Sequence, residues 1–302
     1  MKVLYFHQHF STPNGAVGIR SYMMAKAMVK QGIEVEMVCG SFLTGNTGLT
    51  GKFCRGKRSG LVDGIQVVEF DISYSNKDGF IKRSTKFISF SVKSISHALR
   101  SDCDLVFATS TPLTASLPGI FSRWLSNKPF VFEVRDLWPE LPKAMGVIDS
   151  KAVLFCLAIL ERVSYMSADR LIGLAPGIVT GIQKITPPKK PVKMIPNGCD
   201  IELFESVGKT TRLEGVPHNN LLAIYTGTHG IANGLEILLD VAAELQERRR
   251  TDVTLCLIGD GMRKPYLQSQ VELLGLNNVI FRDPMSKTEL IAVMNGSDIG
   301  LQ

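Results

Sequence analysis

A short apolar run followed by a glycine-rich turn is the feature that most constrains the fold. The run Leu221–Tyr225 is typical of a buried strand, and the turn Gly227–Gly234 leads into a helical pattern that continues to about Arg250. A turn between a strand and a helix aims unpaired backbone N–H groups at one point, where an anion is stabilised. Its glycines also let a ligand approach the backbone closely. An ordinary turn of an α/β protein is the alternative for this stretch taken alone.

A similar turn follows the first apolar run of the chain. Residues 2–7 predict a strand, the loop after it carries Gly15 and Gly18, and a helix is predicted to begin near Val17. The spacing is not that of a GxGxxG fingerprint, and no P-loop lysine follows. Arg20 lies one turn into the helix, where its guanidinium group is suited to a phosphate or carboxylate. A solvated arginine on the helix surface is the alternative.

Predicted strands and helices alternate along the whole chain. This alternation predicts an α/β protein with two Rossmann-like domains whose parallel sheets face a cleft. We expect an N-terminal domain over residues 1–205, a polar linker over 206–220 and a C-terminal domain over 221–302. Such a sheet normally has further strands, so the second domain is expected to be incomplete at its C-terminus. The polar stretch 41–63 is predicted to be a loop, and a loop of that length is usually functional or disordered.

Composition and charge narrow the class of protein. The chain of 302 residues is 45% hydrophobic and 21% charged, as in globular proteins. Its net charge of +6 suits an anionic ligand or membrane surface, but no basic block interleaved with aromatic residues predicts nucleic-acid binding. Six scattered cysteines without a CxxC pair are typical of a reduced, cytoplasmic protein. The longest apolar run, 152–160, is about half a membrane span, so we expect a soluble or peripheral protein.

The loop after the predicted strand 129–134 carries the side chains best suited to chemistry. Ligands of open α/β sheets bind at the carboxyl ends of the strands. There Arg135, Asp136 and Trp138 combine a guanidinium group, a carboxylate and an indole, which suits the handling of a sugar. Asp136 is the candidate catalytic carboxylate, with Arg135 beside it; an aspartate that only caps the loop and pairs with Arg135 is the alternative. No set of side chains has the spacing of metal ligands, so we expect no metal.

The predicted helix 80–99 has a second feature, a basic and aromatic segment at its start. Basic residues beside aromatic ones can hold a protein on anionic lipid. The alternative is an ordinary helix that packs on the sheet and exposes a basic side. The residues of interest are Lys82, Arg83, Lys86 and Phe87.

Several motifs together resemble one known group of enzymes. They are Asn14-Gly15 with Arg20, the Pro196-Asn-Gly198 turn, the Gly227 turn and Leu257-Ile-Gly-Asp-Gly261. With them, the chain resembles the retaining, family 4 (GT4) glycosyltransferases of the two-domain GT-B fold. Phe132-Glu-Val-Arg-Asp-Leu-Trp-Pro-Glu140 and the Gly-x-x-Gly-x-x-Asn-Gly form of the second turn are similar to one subgroup. That subgroup contains the WbuB-type L-fucosamine transferases of O-antigen, lipopolysaccharide and capsule biosynthesis.

The resemblance implies the transfer of a sugar, such as the N-acetylated amino sugar L-FucNAc, from a UDP-sugar to a lipid-linked or oligosaccharide acceptor. It also implies that the anomeric configuration is retained and that no metal or other cofactor is needed. The acceptor, plausibly on a polyprenyl diphosphate, would lie against the N-terminal domain near Trp138 and the 82–87 segment, at the cytoplasmic face of the inner membrane. The nucleotide-sugar donor would be held by Gly15, Arg20, Gly227, Thr228, His229, Asn233, Gly259, Gly261, Arg263, Phe281 and Arg282.

The sequence departs from the family in its charged residues. Thr228 and Asn233 stand where the family has an arginine and a lysine that neutralise the diphosphate. The charge is then expected from a helix N-terminus, worth about 0.3–1 kcal/mol per charge, or from the side chains of His229, Arg263, Lys264 and Arg20.

Two further departures affect activity. Arg135 stands where many relatives carry a histidine, and the family's paired glutamates would lie beyond Gln302. We therefore expect this chain to bind UDP-sugar weakly and to turn over slowly or not at all.

Three other functions remain open. A UDP-sugar epimerase shares the architecture, and a non-catalytic nucleotide-sugar-binding subunit would need neither the charged pair nor the glutamates. A nicotinamide-dependent oxidoreductase is disfavoured, because neither glycine loop has the GxGxxG form with an acidic residue about 20 positions later.

Overall fold

The chain forms two compact units in the computed structural model, which describes residues 1–74, 78–199, 201–206, 208 and 210–302. The first unit comprises residues 1–12 and 18–198, and the second comprises 13–17 and 199–302. The division after Gly198 comes earlier in the chain than the expected boundary at residue 205.

An eight-stranded sheet forms the centre of the first unit. Its strand order is β3-β4-β2-β1-β5-β6-β7-β8, and every neighbouring pair is parallel except β3–β4. The strands are β1 (Lys2–Phe6), β2 (Glu34–Phe42), β3 (Lys57–Val62), β4 (Ile65–Tyr74), β5 (Leu105–Thr109), β6 (Phe130–Val134), β7 (Arg170–Gly173) and β8 (Val192–Met194). The helices are α1 (Arg20–Lys30), α2 (Phe80–Arg100), α3 (Leu117–Ser126), α4 (Glu140–Ala144), α5 (Lys151–Ser167) and α6 (Pro176–Ile185).

Both faces of this sheet are buried, as a parallel sheet requires. Successive side chains of a strand point to opposite faces. In β1, Leu4 and Phe6 enter one core and Val3 and Tyr5 enter the other. The consequence is a rigid support for the loops at the ends of the strands.

The stretch 41–63, predicted to be a loop, contains an edge strand. β3 pairs antiparallel with β4, and its side chains alternate between exposed and half-buried. Asp63 and Gly64 connect the two strands with φ values of 51° and 84°, the conformation that an Asp-Gly hairpin turn favours. The Asp63-Gly64 pair is the sequence signal that predicts this hairpin.

A smaller sheet forms the second unit, with the order β11-β10-β9-β12 and all pairs parallel. Its strands are β9 (Leu221–Thr226), β10 (Val253–Ile258), β11 (Val279–Arg282) and β12 (Ile299–Leu301), and its helices are α7 (Ile201–Ser206), α8 (Glu236–Glu247), α9 (Lys264–Leu273) and α10 (Lys287–Asn295). The predicted α/β class, with parallel sheets in two Rossmann-like units, is confirmed.

Part of the predicted linker 206–220 belongs to the core of the second unit. Leu213 and Val216 are each 8% exposed and pack with Leu222 and Ile224, and the Thr211 N–H donates to the Ala292 carbonyl oxygen. The linker interpretation failed here because two isolated apolar residues in a polar stretch have no period. Positions 207 and 209 of the stretch lie outside the described residues.

Candidate functional site

The carboxyl ends of three neighbouring strands bring the first group of site residues together. In the register of the first sheet, Phe6 lies opposite Ala108, and Thr109 lies opposite Glu133. β1, β5 and β6 therefore end side by side, and the loops that follow them meet.

The candidate carboxylate, Asp136, is held by the loop after β5. The Thr111 hydroxyl donates to Asp136 Oδ2 at 3.0 Å, and the Arg135 N–H donates to Ser110 Oγ at 2.8 Å. Thr111 has a φ of 87°, a strained conformation for a β-branched residue, and such strain is concentrated at functional sites. The carboxylate is therefore positioned by a specific and costly loop conformation.

Arg135 contacts a buried histidine, and it forms no ion pair with Asp136. Its Nη1 lies 3.4 Å from His7 Nε2, while His7 Nδ1 lies 2.7 Å from Ser21 Oγ. Burial and the Arg135 charge hold the pKa of His7 well below its usual range. A neutral His7 is then consistent with Nδ1–H donating to Ser21 and Nε2 facing the guanidinium group. The sequence pattern assigns no role to His7 or Thr111, because neither belongs to a recognisable motif.

Arg20 is engaged inside the first unit. Its Nε and Nη2 donate to Glu133 Oε1 at 3.1 and 2.9 Å, and its Nη1 and Nη2 each donate at 2.7 Å to the carbonyl oxygens of Pro196 and Ile195. Glu133 is 1% exposed, and its other oxygen accepts from Thr109 Oγ1 at 2.6 Å. The guanidinium group thus compensates a buried carboxylate and fixes the chain after β8. Its predicted role at a phosphate remains a prediction.

The predicted acceptor residues occupy two places in the first unit. Trp138 is half-buried against the core, and its Nε1 has no partner among the described residues. Lys82 and Lys86 both pair with Asp78, at 2.8 and 2.6 Å, which reduces the positive charge expected of this segment. Arg83 lies over the Tyr74 ring, on which Phe87 also stacks.

In the second unit, the loops after β9 and β10 pack against each other through their backbones. The N–H groups of Gly227 and His229 donate to the carbonyl oxygens of Ile258 and Asp260. A Cβ atom at Gly259 would lie 1.8 Å from the Gly227 oxygen, and one at Gly261 would lie 2.3 Å from the His229 oxygen. These two glycines are therefore required by the contact between the loops, whereas Gly227 itself is exposed.

His229 is fully buried and cannot supply the positive charge expected of it. Its ring packs near Tyr225 and Phe281, with centroid distances of 6.1 and 6.0 Å, and neither ring nitrogen has a partner among the described residues. Burial, together with the charge of Lys264, lowers the pKa of His229 to about 4. The imidazole is neutral at neutral pH.

The other predicted cations of this unit have partners within it. Arg263 Nε donates to Glu236 Oε1 at 2.9 Å, and Lys264 Nζ donates to Asp283 Oδ1 at 2.7 Å and to the Gly259 carbonyl oxygen at 2.9 Å. Arg282 Nη2 donates to the Glu214 carbonyl oxygen at 2.5 Å. The cationic side chains that the sequence predicts to contact a diphosphate thus form contacts that hold the loops of the second unit together.

The loops after β9 and β10 expose small polar residues together with the apolar Ile231 and Met262. Thr228 and Asn233 are exposed, and Gly234 adopts a φ of 56°, which ends a short 3₁₀ turn over Ile231–Asn233 before α8 begins. No side chain caps the N-terminus of α8. Gly15, in the loop between β1 and α1, is buried and belongs to the segment 13–17 of the second unit.

The described residues contain no group of three or more His, Cys, Asp or Glu side chains arranged to hold a metal ion. Across the same residues, no helix is long and apolar enough to cross a membrane.

Comparison with known proteins identifies the class. Residues 15–198 match the glycosyl transferase 4-like domain and residues 210–302 match the glycosyl transferases group 1 domain, so the chain belongs to this family of GT-B glycosyltransferases. No curated protein matches the chain.

Solved structures of low sequence identity share the fold. Sucrose-phosphate synthase from Thermosynechococcus elongatus superposes with a TM-score of 0.74 at 13% identity, over 99% of this chain and 74% of that one. WaaG, a glycosyltransferase involved in lipopolysaccharide biosynthesis, gives 0.64 at 16%, over 99% and 74%. HepE from Anabaena, solved in complex with UDP and glucose, gives 0.61 at 18%, over 99% and 73%.

Proposed function

We propose that this protein is a retaining transferase that moves a sugar from a UDP-sugar to an acceptor hydroxyl in the synthesis of a bacterial surface polysaccharide, and that it belongs to the WbuB-type subgroup. The observation that carries the proposal is the strained Thr111 that holds the Asp136 carboxylate at the carboxyl edge of the first sheet. A carboxylate fixed in this way can accept a hydrogen bond from a sugar hydroxyl and orient it for reaction.

The donor is proposed to bind through the backbone of the second unit. The cations there already have partners, and the N–H groups of Gly227 and His229 are bonded to the loop after β10. The diphosphate would therefore be met by other N–H groups of the turn after β9 and by the N-terminus of α8. The UDP present in the HepE structure supports the choice of nucleotide. No metal is assigned to this donor site.

The acceptor is proposed to be lipid-linked and to lie near Trp138, two residues after Asp136 in the loop that follows β6. A polyprenyl diphosphate would place the protein at the cytoplasmic face of an anionic membrane. The guanidinium groups of Arg83 and Arg135 are proposed as the cations that meet the acceptor's phosphates.

Calorimetric titration with UDP and NAD tests the donor part. We expect UDP to bind and NAD not to bind. The Thr228→Arg substitution places a cation at an exposed position of the turn and should tighten UDP binding at least about tenfold, since a charge-assisted hydrogen bond contributes about 1.5–3 kcal/mol. Thr251→Arg, at the opposite end of the sheet before β10, is the matched control and should leave the affinity unchanged. NAD binding, or an equal effect of both substitutions, would overturn the assignment.

Product analysis separates the transferase from its alternatives. A transferase consumes UDP-sugar only when an acceptor is present and retains the anomeric configuration. An epimerase would change the UDP-sugar alone, and a non-catalytic subunit would bind it without turnover.

A further inference from the structure

Arg135 lies at the carboxyl edge of the first sheet without a carboxylate partner among the described residues. Its guanidinium group contacts the ring of His7, with Nη1 3.4 Å from His7 Nε2. Arg20 of the same unit differs, because it pairs with the buried Glu133 at 2.9 Å. The positive charge of Arg135 is therefore not cancelled within the part of the unit that the structure describes.

Only one neutral form of His7 can accept a hydrogen bond from Arg135. A guanidinium group has donors and no acceptor, so the nitrogen that faces it, Nε2, must carry a lone pair. The proton of the neutral imidazole is then on Nδ1, which lies 2.7 Å from Ser21 Oγ. His7 is 2% exposed and Ser21 is 1% exposed, so both groups are shielded from solvent. Ser21 thus selects the tautomer that Arg135 requires.

A neutral histidine directs the guanidinium group without cancelling its charge. A carboxylate at position 7 would bind Arg135 more strongly, but the resulting ion pair would be neutral and would attract an anion less. Burial and the charge of Arg135 hold the pKa of His7 well below its usual range, so the imidazole stays neutral at neutral pH. The distance of 3.4 Å is long for a hydrogen bond, so His7 directs the guanidinium group more than it stabilises the fold.

A second guanidinium group lies near the same place. Burial, then the charges of Arg83 and Arg135, lower the pKa of His9 to about 3. The ring of His9 packs against Tyr74 at a centroid distance of 4.4 Å, and Arg83 lies over the same Tyr74 ring. His9 Nδ1 is buried and has no partner in the described part of the chain. Two cations near one neutral imidazole suit a ligand with two negative groups, such as a diphosphate.

We propose that His7 is a positioning residue that directs the Arg135 guanidinium group towards the diphosphate of the acceptor, in the tautomer that Ser21 selects. The backbone of Arg135 is fixed as well, since its N–H donates to Ser110 Oγ at 2.8 Å. Both ends of the Arg135 side chain are thereby held before the ligand arrives, which reduces the entropy cost of binding. The choice of a diphosphate rests on the proposed function, whereas the pairing of His7 with Arg135 does not.

The tautomer of His7 can be measured without any substrate. Long-range ¹H–¹⁵N correlation spectra of the chain labelled in its five histidines should show His7 protonated at Nδ1 and unprotonated at Nε2. The spectrum of the His7→Gln variant assigns the signal. Ser21→Ala removes the acceptor and should shift the ring towards the Nε2–H tautomer. A proton on Nε2 in the unsubstituted chain would overturn the proposal, since it would face the donors of Arg135.

Titration calorimetry with geranyl diphosphate, a short isoprenyl diphosphate, measures the effect on the ligand. Arg135→Gln should weaken its binding at least about tenfold, because a charge-assisted hydrogen bond is lost. Arg170→Gln, at an exposed position on the amino edge of the same sheet, is the matched control and should leave the affinity unchanged.

Two substitutions of His7 separate positioning from packing. The amide of His7→Gln can lie near the position of Nε2 and accept from Arg135, so geranyl diphosphate should bind within about twofold of the unsubstituted chain. The amide of His7→Asn lies nearer to the position of Nδ1 and keeps only the contact with Ser21, so binding should weaken about fivefold or more. Urea unfolding checks that both variants are folded. Equal affinities of the two variants would mean that His7 only fills the core, and would overturn the proposal.

UDP distinguishes the acceptor from the donor. Its affinity should be the same in Arg135→Gln as in the unsubstituted chain, and a parallel loss for UDP and geranyl diphosphate would overturn the assignment to the acceptor. No binding of geranyl diphosphate by the unsubstituted chain, or an equal loss in Arg135→Gln and Arg170→Gln, would overturn it as well. A chain that binds geranyl diphosphate as expected but transfers no sugar would count against the transferase alone.

Discussion

The carboxyl edges of the two sheets offer different atoms to a ligand. In the first unit, Asp136 is oriented by Thr111 and remains half-exposed, so a side chain is presented for chemistry. In the second unit, Arg263 and Lys264 are paired internally, and the residues exposed at the turn after β9 include Thr228 and Asn233. Under the proposed function, the first unit would act on its ligand through a side chain and the second would recognise its ligand through the backbone. Substitutions of charged side chains should therefore have unequal effects in the two units.

The largest effect is expected at Asp136. Asp136→Asn keeps the size of the side chain but removes its charge. The kcat of the unsubstituted chain, which is expected to be low, should fall by about 10²–10⁴-fold, the usual contribution of a positioned acid–base group. UDP affinity measured by calorimetry should not change, because the second unit is untouched. Asp149→Asn, at an exposed position before α5, is the control. Wild-type turnover by the Asp136 variant would remove the carboxylate from the chemistry.

Substitution of Arg20 tests whether this cation of the first unit stabilises the fold or binds the donor. Arg20→Met leaves the buried Glu133 without its partner and should lower the free energy of unfolding by about 3–5 kcal/mol in urea titrations. The additional substitution Glu133→Gln should recover part of this loss. If Arg20→Met instead weakened UDP binding at unchanged stability, Arg20 would belong to the donor site.

Glu161 should make the first unit less stable as pH rises. Burial raises its pKa to about 7, and Tyr165 donates to it. At pH values between the unfolded and the folded pKa of Glu161, the folded chain binds more protons than the unfolded chain. The stabilisation from the protonated Glu161 carboxyl group is therefore complete at low pH and is lost as pH rises towards about 7. Glu161→Gln should remove the dependence and add roughly 3 kcal/mol above pH 7, because one pKa unit corresponds to 1.36 kcal/mol.

Urea unfolding at several pH values measures this contribution. Glu272→Gln in α9 is the exposed control. If the unfolding free energy of Glu161→Gln depends on pH in the same way as that of the unsubstituted chain, Glu161 is not the group responsible.

His229 should give the second unit the opposite pH dependence. Its pKa of about 4 lies below the unfolded value, so the folded chain holds fewer protons in between. This stability is complete above pH 6.5 and is lost as pH falls towards about 4. His229→Phe should reduce the loss of unfolding free energy in acid by up to roughly 3 kcal/mol, whereas His218→Phe, at an exposed position, should not. Unchanged acid sensitivity would contradict a neutral buried His229.

The smallest effect is expected from Arg263→Ala. Its ion pair with Glu236 is about one-third exposed, and ion pairs open to solvent contribute little to stability. Because the donor is proposed to bind through backbone groups, UDP affinity in calorimetry should stay close to that of the unsubstituted chain. A large loss of affinity would show that the second unit also recognises its ligand through a charged side chain.

Local patterns predicted the elements more completely than the site. The apolar run Leu221–Tyr225 forms β9, the predicted strand 129–134 forms β6, and the predicted helix 80–99 forms α2. Helix α4 is not predicted, because it has only five residues. Strand β3 is not predicted either, although an Asp-Gly pair follows it. Short or polar elements carry too few periodic residues to be recognised and are stabilised by their neighbours.

By itself the sequence determined the α/β alternation, the two glycine turns and the loop that carries Asp136, because each depends on residues close together in the chain. Only the tertiary structure decided which charged side chains are paired within the fold. Glu133 lies 113 positions from Arg20, and Asp283 lies 19 from Lys264. Partners so far apart have no common periodicity, and a buried charge is stabilised by whichever opposite charge or dipole the fold brings to it.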